Sequence, residues 1–392
     1  MEYEEIFKKY FPGLTPDNRV FCPYRVCPIG AHIDHQFGIV SGLAINEGIY
    51  LYYKARKEAL VELHSMNFKG KIIFDVKQDF YINKNWGDYA KAAMNALFDQ
   101  GYKLEKGFYG AVIGTLPIGG LASSSAVILA YIVVLSRING ISLGSKELIK
   151  MAYLAEHKFL GIHIGKLDQN CEIYCKKDYL LYFDTLDNRI VNIKKSEKMP
   201  SFRIGIFYSG KSRVLKDSAY NIRVSECNEA ATVLKKYAGI SWKGTTDNCL
   251  REVSKEIFEK YKTDMPDNLK KRAEHYFSET DRLEEGINAW KLGDINKFGH
   301  LIFESGDSSI NYYESGSPEL CKLHCIAKNT PGIWGGRFSG AGFKGCYMAI
   351  VDSRYTRQIG EYVTEKYLEV FPELRGKFSV HFCDTADGMT YL

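Results

Sequence analysis

Long apolar runs are missing from this 392-residue chain. No stretch approaches the roughly 20 consecutive apolar residues that a membrane-spanning helix requires. The segment Met1–Lys9 is charged and has no apolar core behind it, so it predicts a short helix and not a signal peptide. We therefore expect no membrane association and, by default, a cytoplasmic protein.

The chain also lacks internal repeats, low-complexity linkers and a strong excess of charge. Its 52 Lys and Arg residues against 47 Asp and Glu residues leave a net charge of +5, and the basic residues are scattered. This balance does not call for nucleic acid as a partner, whereas an anionic small substrate is compatible with it. The composition is that of an ordinary globular protein, and no obligatory protein partner is inferred.

Ten cysteines are present, but a chain of this size does not need a disulfide framework. Cys171 and Cys175 are spaced by one helical turn, as are Cys321 and Cys325. His324 next to Cys325 makes a metal site conceivable, but no second Cys/His pair with zinc-ligand spacing stands nearby. Reduced thiols in partly buried helices are the expected state.

Short strand-like segments alternate with helices in the first half, and long helical stretches dominate the second half from Ala219 to Phe303. A boundary near residue 200 is expected, giving domains 1–200 and 201–392. The predicted strands are Ile49–Ala55, Ile72–Val76, Ala111–Gly114, Leu180–Asp184, Phe202–Ser209 and Cys346–Val351. The clearest predicted helices are Ser124–Ile138, which is apolar over most of its length, and Ser145–Leu160, with Ser145 as its cap and Gly161 at its end.

A turn rich in glycine and serine, Leu116–Ala126, precedes the predicted buried helix. Glycines such as Gly119 and Gly120 let a loop wrap closely around an anion, and a helix start directs free N–H groups at it. Three serines can donate to phosphate oxygens or ligate Mg²⁺: Ser123, Ser124 and Ser125. No Gly-Lys-Ser/Thr follows, so this is not a Walker motif. A serine-rich helix cap is the alternative interpretation.

Two carboxylates follow this loop. Glu156 falls at the edge of the apolar stripe of its helix, where a carboxylate is costly unless it is paired or binds a cation. A salt bridge to a neighbouring Lys or Arg is the alternative. Asp168 lies after a loop bracketed by Gly161 and Gly165, where an Asp is often a helix N-cap. Its functional interpretation is a base or electrostatic partner for a substrate hydroxyl.

Polar side chains crowd the segment Pro23–Gly38, which also carries Pro and Gly turn signals. Asp34 and His32 suit hydroxyl recognition, and Arg25 suits an oxyanion or a catalytic carboxylate. His35 adds a further hydrogen-bonding side chain to this segment. A polar surface turn is the alternative.

In this order and spacing, the three segments resemble the signature set of the galactokinase group in the GHMP kinase superfamily. Gly120–Ala126 is similar to the phosphate loop of the group, Ala155–Gln169 to its Ala-Glu-His … Met-Asp-Gln segment, and Arg25–Asp34 to its sugar-binding segment. Phe338–Cys346 resembles the glycine-rich C-terminal motif that supports the phosphate loop. The resemblance extends from about residue 20 to residue 351.

The resemblance implies an α+β protein with the two-domain GHMP kinase fold and an active site in the cleft between the domains. It also implies ATP and Mg²⁺ as cofactors and phosphoryl transfer by positioning and charge neutralisation. Asp168 would be the catalytic carboxylate and Arg25 would stabilise the transferring group. Glu156 with Ser124 or Ser123 would hold Mg²⁺. The nucleotide would contact Gly119, Gly120, Leu121, Ser123, Ser124, Ser125, Gly340 and Gly342, with Trp86 and Tyr89 near the adenine. The sugar pocket would contain Ala31, His32, Asp34, His35, Asp184 and Tyr220.

Departures from the group pattern bear on the substrate. Galactokinases carry Glu, which contacts the sugar O6, where this chain has Ala31. His35 replaces the usual Tyr, and Lys344 replaces a small residue. A Glu here would repel a substrate carrying its own C6 carboxylate by roughly 1–4 kcal/mol at about 4 Å.

The segment Tyr24–Gln36 is especially similar to plant galacturonokinases, as are Tyr220–Cys227 and Lys271–Glu279. We therefore expect D-galacturonate as the acceptor and its 1-phosphate as the product, with galactose as the alternative substrate. The partner of the carboxylate is open, with three candidates: His35, Arg213 and Arg223.

A function of another class is a non-catalytic sensor that binds sugar and ATP. Relatives of that kind have lost residues of the Ser-Ser-Ala run, whereas Ser123–Ala126 is intact here, as are Glu156 and Asp168. These residues favour an enzyme.

Overall fold

Two antiparallel-rich sheets with helices packed around them form the α+β architecture. The computed structural model describes residues 3–78, 80–162, 165–211, 218–240 and 249–391. The strands are β1 Asn18–Val26, β2 Ile39–Ala55, β3 Leu60–Ser65, β4 Lys71–Asp75, β5 Phe108–Gly114, β6 Tyr179–Asp184, β7 Arg189–Lys194, β8 Phe202–Tyr208, β9 Ile333–Phe338, β10 Cys346–Asp352, β11 Ser379–Cys383, β12 Thr385–Ala386 and β13 Thr390–Tyr391. The α-helices are α1 Tyr3–Tyr10, α2 Asp88–Asp99, α3 Ser123–Ile138, α4 Ser145–Leu154, α5 Leu167–Tyr174, α6 Ser218–Tyr237, α7 Lys255–Tyr261, α8 Asp267–Leu292, α9 Ile295–Asn311, α10 Pro318–Lys328 and α11 Thr356–Val370.

The first sheet has the strand order β13-β1-β2-β5-β3-β4, and β6 with β7 extends it from the start of β2. Its pairs are antiparallel except for β3 and β5, which run parallel. The long strand β2 therefore pairs with β6 near its start, at Ile39, and with β1 and β5 along the rest of its length. This placement brings the segment between β1 and β2, which holds the predicted sugar residues, next to β6.

The second sheet is antiparallel with the order β11-β8-β10-β9. After β11 the chain returns to the first sheet, where Thr385 pairs with Ile45 of β2 and Tyr391 with Val20 of β1. The predicted boundary near residue 200 falls just before β8. It remains a prediction, because after β11 the chain adds β12 and β13 to the first sheet.

Helix α3 is the centre of the first half. Its residues from Ser125 to Ser136 are all buried, and it packs against β1, β2, α2 and α4. A helix that is apolar on all sides is expected in such a position. This burial fixes the helix start, and with it the glycine and serine loop.

The strand prediction was too short at β2, which begins at Ile39 and not at Ile49. The missed part contains two glycines that other atoms approach closely. A Cβ on Gly42 would lie 2.1 Å from the Cys171 sulfur, and a Cβ on Gly48 would lie 2.2 Å from the Cys22 carbonyl oxygen. These glycines break the apolar pattern of the strand because tertiary packing requires them.

All ten cysteines are free thiols, as expected. His324 is hydrogen-bonded to the Tyr347 hydroxyl and the Asp307 carboxylate, both at 2.9 Å. The described residues contain no group of three or more His, Cys, Asp and Glu side chains placed to hold a metal ion. Nor does any helix in those same ranges have the length and apolarity to cross a membrane.

Candidate active site

A partly buried ion pair joins two of the predicted segments. Arg25, near the end of β1, approaches the Asp168 Oδ1 atom through Nε at 2.7 Å and Nη2 at 2.6 Å. Asp168 is the second residue of α5, and Lys166 holds the N-cap position, so the N-cap interpretation of Asp168 is wrong. Both guanidinium contacts are made to Oδ1, and within the described ranges no donor is found for Oδ2.

The two glycine-rich loops pack backbone against backbone. A Cβ on Gly119 would lie 2.8 Å from the Gly345 Cα, and one on Gly340 would lie 2.9 Å from the Gly120 Cα. Gly120 and Gly340 both have positive φ, 77° and 73°. Only glycine fits such a contact without strain, so the C-terminal loop supports the first loop from behind.

The Gly120 carbonyl oxygen is held by two donors, the Ser339 hydroxyl at 2.6 Å and the Arg25 Nη1 at 3.1 Å. The Arg25 backbone N–H also donates to the Leu121 carbonyl at 3.3 Å. Both of these loop carbonyls are therefore occupied by donors from the protein. Helix α3 starts at Ser123, directly after this loop, and the free N–H groups at a helix start suit a phosphate.

Glu156 lies on a widened turn. The prediction of one α-helix to Leu160 was wrong: α4 ends at Leu154, and Ala155–Phe159 forms a π-helical turn. The extra residue of such a turn changes the direction of the side chains, and Glu156 is completely buried. Ser145 does not cap α4 either; Gly144 is the N-cap, and its N–H donates to the Glu147 carboxylate at 2.7 Å.

The partners of Glu156 are neutral. The Ser124 hydroxyl donates to its Oε1 at 3.0 Å, and the Gln169 amide donates to its Oε2. No Lys or Arg of the described ranges forms an ion pair with Glu156, and the neighbouring Lys158 pairs with Asp99 instead. Burial, followed by the charge of Asp168, raises the pKa of Glu156 to about 8.

This donor set fits a divalent cation. A carboxylate and a hydroxyl are the oxygen ligands that Mg²⁺ prefers, and a positive charge would compensate the burial of Glu156. Glu172, one turn after Asp168, is also fully buried, and burial, followed by the charge of Asp168, raises the pKa of its carboxyl group well above the usual range. The loop end of the site is therefore rich in carboxyl groups, and Arg25 supplies a positive charge beside them.

The segment Pro23–Gly38, which was predicted to bind the sugar, is largely buried, with Asp34 and His35 partly exposed, so the surface-turn alternative is wrong. His32 has a positive φ of 64°, and its Nε2 lies 3.1 Å from the Gly340 carbonyl oxygen. Asp34 lies against Gly165, where an added Cβ would be 1.8 Å from the Asp34 Oδ2. Burial, followed by the charge of Asp168, raises the pKa of Asp34 to about 6.

His35 belongs to a hydrogen-bond chain of defined polarity. The Leu250 backbone N–H donates to the Gln36 Oε1 at 2.9 Å, which fixes the orientation of this amide. The Gln36 Nε2 therefore donates to the His35 Nδ1 at 3.1 Å, and the proton of the neutral ring is on Nε2. That Nε2 faces the Tyr313 hydroxyl at 3.1 Å, so both ring nitrogens of His35 are occupied.

The other predicted sugar residues lie around this chain. Tyr220 is beside His35, with ring centroids 6.0 Å apart. Asp184 is buried and accepts from the Arg251 guanidinium at 2.7 Å, so its carboxylate is already paired. Ala31 is buried, and its carbonyl oxygen lies 3.0 Å from the His275 Nε2.

The two residues expected near the adenine lie on the first half. Trp86 stacks on Phe68 with centroids 6.1 Å apart and planes 10° apart, and Tyr89 packs against the main core. Of the candidates for a carboxylate partner, Arg213 lies outside the described residues. Arg223 is engaged by Glu226 at 3.0 Å.

Residues that sequence reasoning missed hold the site from behind. Tyr313 stacks on His32 with centroids 4.4 Å apart. Glu279 accepts from the Gly30 N–H at 2.7 Å and pairs with Arg337 at 3.4 Å. The segment Lys271–Glu279 stood out only by its similarity to plant galacturonokinases, and nothing in its spacing indicated contacts with the sugar segment.

Known proteins share this architecture. The family description "GHMP kinases N terminal domain" matches residues 88–176. The galacturonokinase of Arabidopsis thaliana is 38% identical over 399 residues, covering 95% of this chain and 93% of the relative. A galactokinase of Fusobacterium nucleatum subsp. nucleatum is 33% identical over 376 residues, covering 94% and 93%. The crystal structure of Lactococcus lactis galactokinase complexed with galactose matches with a TM-score of 0.87 at 28% identity, covering 99% and 98% of the two chains.

A mevalonate kinase structure matches at a TM-score of 0.64 and 18% identity, which shows the shared GHMP kinase fold. The chain belongs to the GHMP kinase family, in the group that contains the galactokinases and galacturonokinases. It is a sugar kinase of that type, and kinases of this family use ATP as phosphate donor.

Proposed function

We propose that the chain is an ATP-dependent sugar 1-kinase that phosphorylates the anomeric hydroxyl of D-galacturonate. The observation that carries this proposal is Ala31, a small buried side chain where galactokinases have a glutamate at the sugar O6. A methyl group leaves room for a C6 carboxylate and removes a like charge from its side. The 38% identity with a galacturonokinase supports the same substrate.

Asp168 and Arg25 are the residues assigned to the reacting hydroxyl. With Oδ1 held by Arg25, the Oδ2 atom of Asp168 is the acceptor for the hydroxyl proton. Arg25 also contacts the phosphate loop at the Gly120 carbonyl, so it spans the hydroxyl and the transferring group. Its positive charge would stabilise the charge that develops between them.

The glycine loops and the start of α3 would bind the phosphates of ATP through backbone N–H groups and the hydroxyls of Ser123, Ser124 and Ser125. Ser124 and Glu156 would hold Mg²⁺, which when bound neutralises charge on the ATP phosphates. Asp34, with Tyr220, would orient the sugar. Trp86 and Tyr89 would flank the adenine.

A panel assay tests the proposal. ADP release is measured with ATP and Mg²⁺ against D-galacturonate, D-glucuronate, D-galactose, L-arabinose and N-acetylgalactosamine. We expect the highest kcat/KM with D-galacturonate. A clear preference for D-galactose would keep the kinase and contradict the uronate. If the protein binds sugar but none of the sugars increases ADP release, the result would favour the sensor function.

A further inference from the structure

A buried arginine on α8 contacts the residues on both sides of Tyr313. Arg272 has no exposed surface. Its Nη1 donates to the Tyr312 carbonyl oxygen, and its Nη2 donates to the Glu314 carboxylate at 2.6 Å. One guanidinium therefore holds the backbone directly before Tyr313 and the side chain directly after it.

Tyr313 in turn lies against the segment between β1 and β2 that is assigned to the sugar. Its ring stacks on His32 with centroids 4.4 Å apart and planes 17° apart, and its hydroxyl lies 3.1 Å from the His35 Nε2. Tyr313 is completely buried. Because a packed interior has little free space, a shift of this ring would be passed on to both histidines.

The backbone at Glu314 needs support from its surroundings. Its φ of 54° lies in the left-handed region, where a glutamate is uncommon, and such a conformation persists only where neighbouring groups hold it. Here the Glu314 carboxylate is held through both oxygens, by Arg272 at 2.6 Å and by Lys271 at 3.1 Å. Two consecutive residues of α8 thus fix the turn that carries Tyr313.

The same guanidinium also reaches α6. The Arg272 Nε donates to the Glu226 carboxylate at 2.7 Å. Two turns earlier, α6 carries Tyr220, whose ring centroid lies 6.0 Å from that of His35. Arg272 therefore connects the two elements that place a tyrosine ring beside His35, namely α6 and the turn after α9.

This network joins the two segments that are especially similar to plant galacturonokinases. Arg223 and Glu226 belong to Tyr220–Cys227, and Arg272 belongs to Lys271–Glu279. Arg223 pairs with Glu226 at 3.0 Å, on the oxygen that also receives the Arg272 Nε. The contact between these segments is therefore made of ion pairs, which sequence spacing alone did not indicate.

The network is confined to the sugar side of the site. Among the residues that the structure describes, none of its ion pairs extends to the phosphate loop. The Gly120 carbonyl of that loop is held by Ser339 and Arg25 instead. A change in the network should therefore act on the sugar and leave the nucleotide unaffected.

We propose that Arg272 is a positioning residue for sugar binding. By holding the Tyr313 turn against α6, it fixes the aromatic side chains that locate His32 and His35, and it does so without touching the substrate. The inference rests on the proposed placement of the sugar at this segment. It does not depend on the choice between galacturonate and galactose.

Arg272→Met tests this role, because it keeps a long side chain and removes the guanidinium. With the preferred sugar of the unchanged protein, we expect the sugar KM to rise by about tenfold or more and the ATP KM to stay within about twofold. A purely structural role would lower the folded fraction, and with it the apparent kcat, but would change neither KM. An unchanged sugar KM, or an equal rise in both KM values, would overturn the inference.

Two further variants sharpen this test. Arg272→Lys keeps the charge, but a single ammonium cannot replace the planar fork that spans Tyr312, Glu226 and Glu314, so most of the rise in sugar KM should remain. A sugar KM restored to that of the unchanged protein would overturn the proposed geometry. Arg354→Met is the control. It removes the partner of the buried Asp352 at the end of β10 opposite the glycine loop, and should leave both KM values unchanged.

A double-mutant cycle asks whether Arg272 acts through Tyr313. Tyr313→Phe keeps the ring and removes the hydroxyl that faces His35. The sugar Kd, measured by calorimetry, should rise less in the double variant than the product of the two single effects. Effects that simply multiply would overturn the inference.

Glu314→Gln decides the matter if Arg272→Met does not fold. The Glu314 side chain is 37% exposed, so its loss of charge is tolerated more easily than a change at Arg272. We expect the sugar KM to rise by about threefold with an unchanged ATP KM, because a neutral amide is held less firmly by the guanidinium. An unchanged sugar KM in this variant would overturn the inference.

Failure of the proposed function looks different. If the unchanged protein prefers D-galactose, the proposed substrate is overturned, and the effect of Arg272→Met on the galactose KM still decides the role of Arg272. If the protein neither binds nor phosphorylates any sugar of the panel, both are overturned.

Discussion

Two arginine–carboxylate pairs, the fully buried Arg337–Glu279 and the partly buried Arg25–Asp168, serve the molecule in different ways. The Glu279 carboxylate accepts hydrogen bonds from four residues: Gly30, Ser305, Arg282 and Arg337. Burial alone would raise its pKa, but the charges of Arg282 and Arg337 lower the pKa to about 2. Asp168 receives Arg25 on one oxygen only, and burial raises the pKa of its neighbours Asp34 and Glu156.

The difference shows how a buried carboxylate can be assigned. A carboxylate whose lone pairs are all used fixes the structure, here the position of Gly30 at the start of the sugar turn. A carboxylate with a free oxygen among other carboxyl groups is a candidate for ligand binding, which is the role that we propose for Asp168. Each prediction below tests one side of this contrast.

The largest effect is expected at Asp168. Asp168→Asn removes the acceptor for the hydroxyl proton while keeping its shape, so kcat should fall by roughly 10²–10⁴ for every sugar used. Sugar binding, measured by calorimetry, should change little. Asp307→Asn, which alters a carboxylate paired with His324 and Lys328, is the control. Unchanged turnover in Asp168→Asn would contradict the assignment.

Glu279→Gln should act on stability instead. Removing one charge of a buried pair leaves the other uncompensated, and the free energy of unfolding should drop by about 3–5 kcal/mol. Urea unfolding measures this, with Glu361→Gln as the exposed control, paired with Arg357. The kcat of the folded protein should stay within a few-fold; a loss of kcat as large as that of Asp168→Asn would remove the contrast between the two pairs.

Ala31→Glu should reverse the substrate preference. A carboxylate near C6 repels that of galacturonate by about 1–4 kcal/mol, so kcat/KM for galacturonate should fall by at least about fivefold relative to galactose. Ala31→Gln adds nearly the same volume without charge and separates repulsion from crowding. If both variants lose galacturonate to the same extent, the charge explanation is wrong.

Glu156→Gln should raise the Mg²⁺ concentration needed for half-maximal activity, by about tenfold or more, because a neutral amide binds the ion more weakly. Titrating Mg²⁺ at saturating sugar measures this. Glu147→Gln, at the exposed start of α4, is the control. An unchanged Mg²⁺ requirement would mean that the ion binds elsewhere.

The smallest effect concerns pH. With a pKa of about 6, Asp34 is ionised above that pH and accepts hydrogen bonds from the sugar hydroxyls. As the pH falls through about 6 the carboxyl gains a proton, so kcat/KM should decline for galactose and galacturonate alike. A decline for one sugar alone would show that another group titrates.

Much of the candidate site was predictable because its residues lie within or near short motifs rich in glycine and serine. Arg25, Asp168 and Glu156 stand in motifs, and the structure brings all three to the phosphate loop. The widened turn at Ala155–Phe159 was not predictable, because an apolar stripe reads the same for α- and π-helical turns over five residues. Glu279 and Tyr313 contact the sugar segment from about 250 to 280 residues away along the chain, and only the folded structure shows these contacts.

A competition experiment tests the substrate most directly. Equal concentrations of D-galacturonate and D-galactose are incubated with limiting ATP and Mg²⁺, and the sugar phosphates are quantified by ³¹P NMR. The product ratio gives the ratio of the two kcat/KM values. We predict an excess of the anomeric phosphate of galacturonate, which Ala31→Glu shifts towards galactose 1-phosphate. An excess of galactose 1-phosphate from the unchanged protein would contradict the proposal.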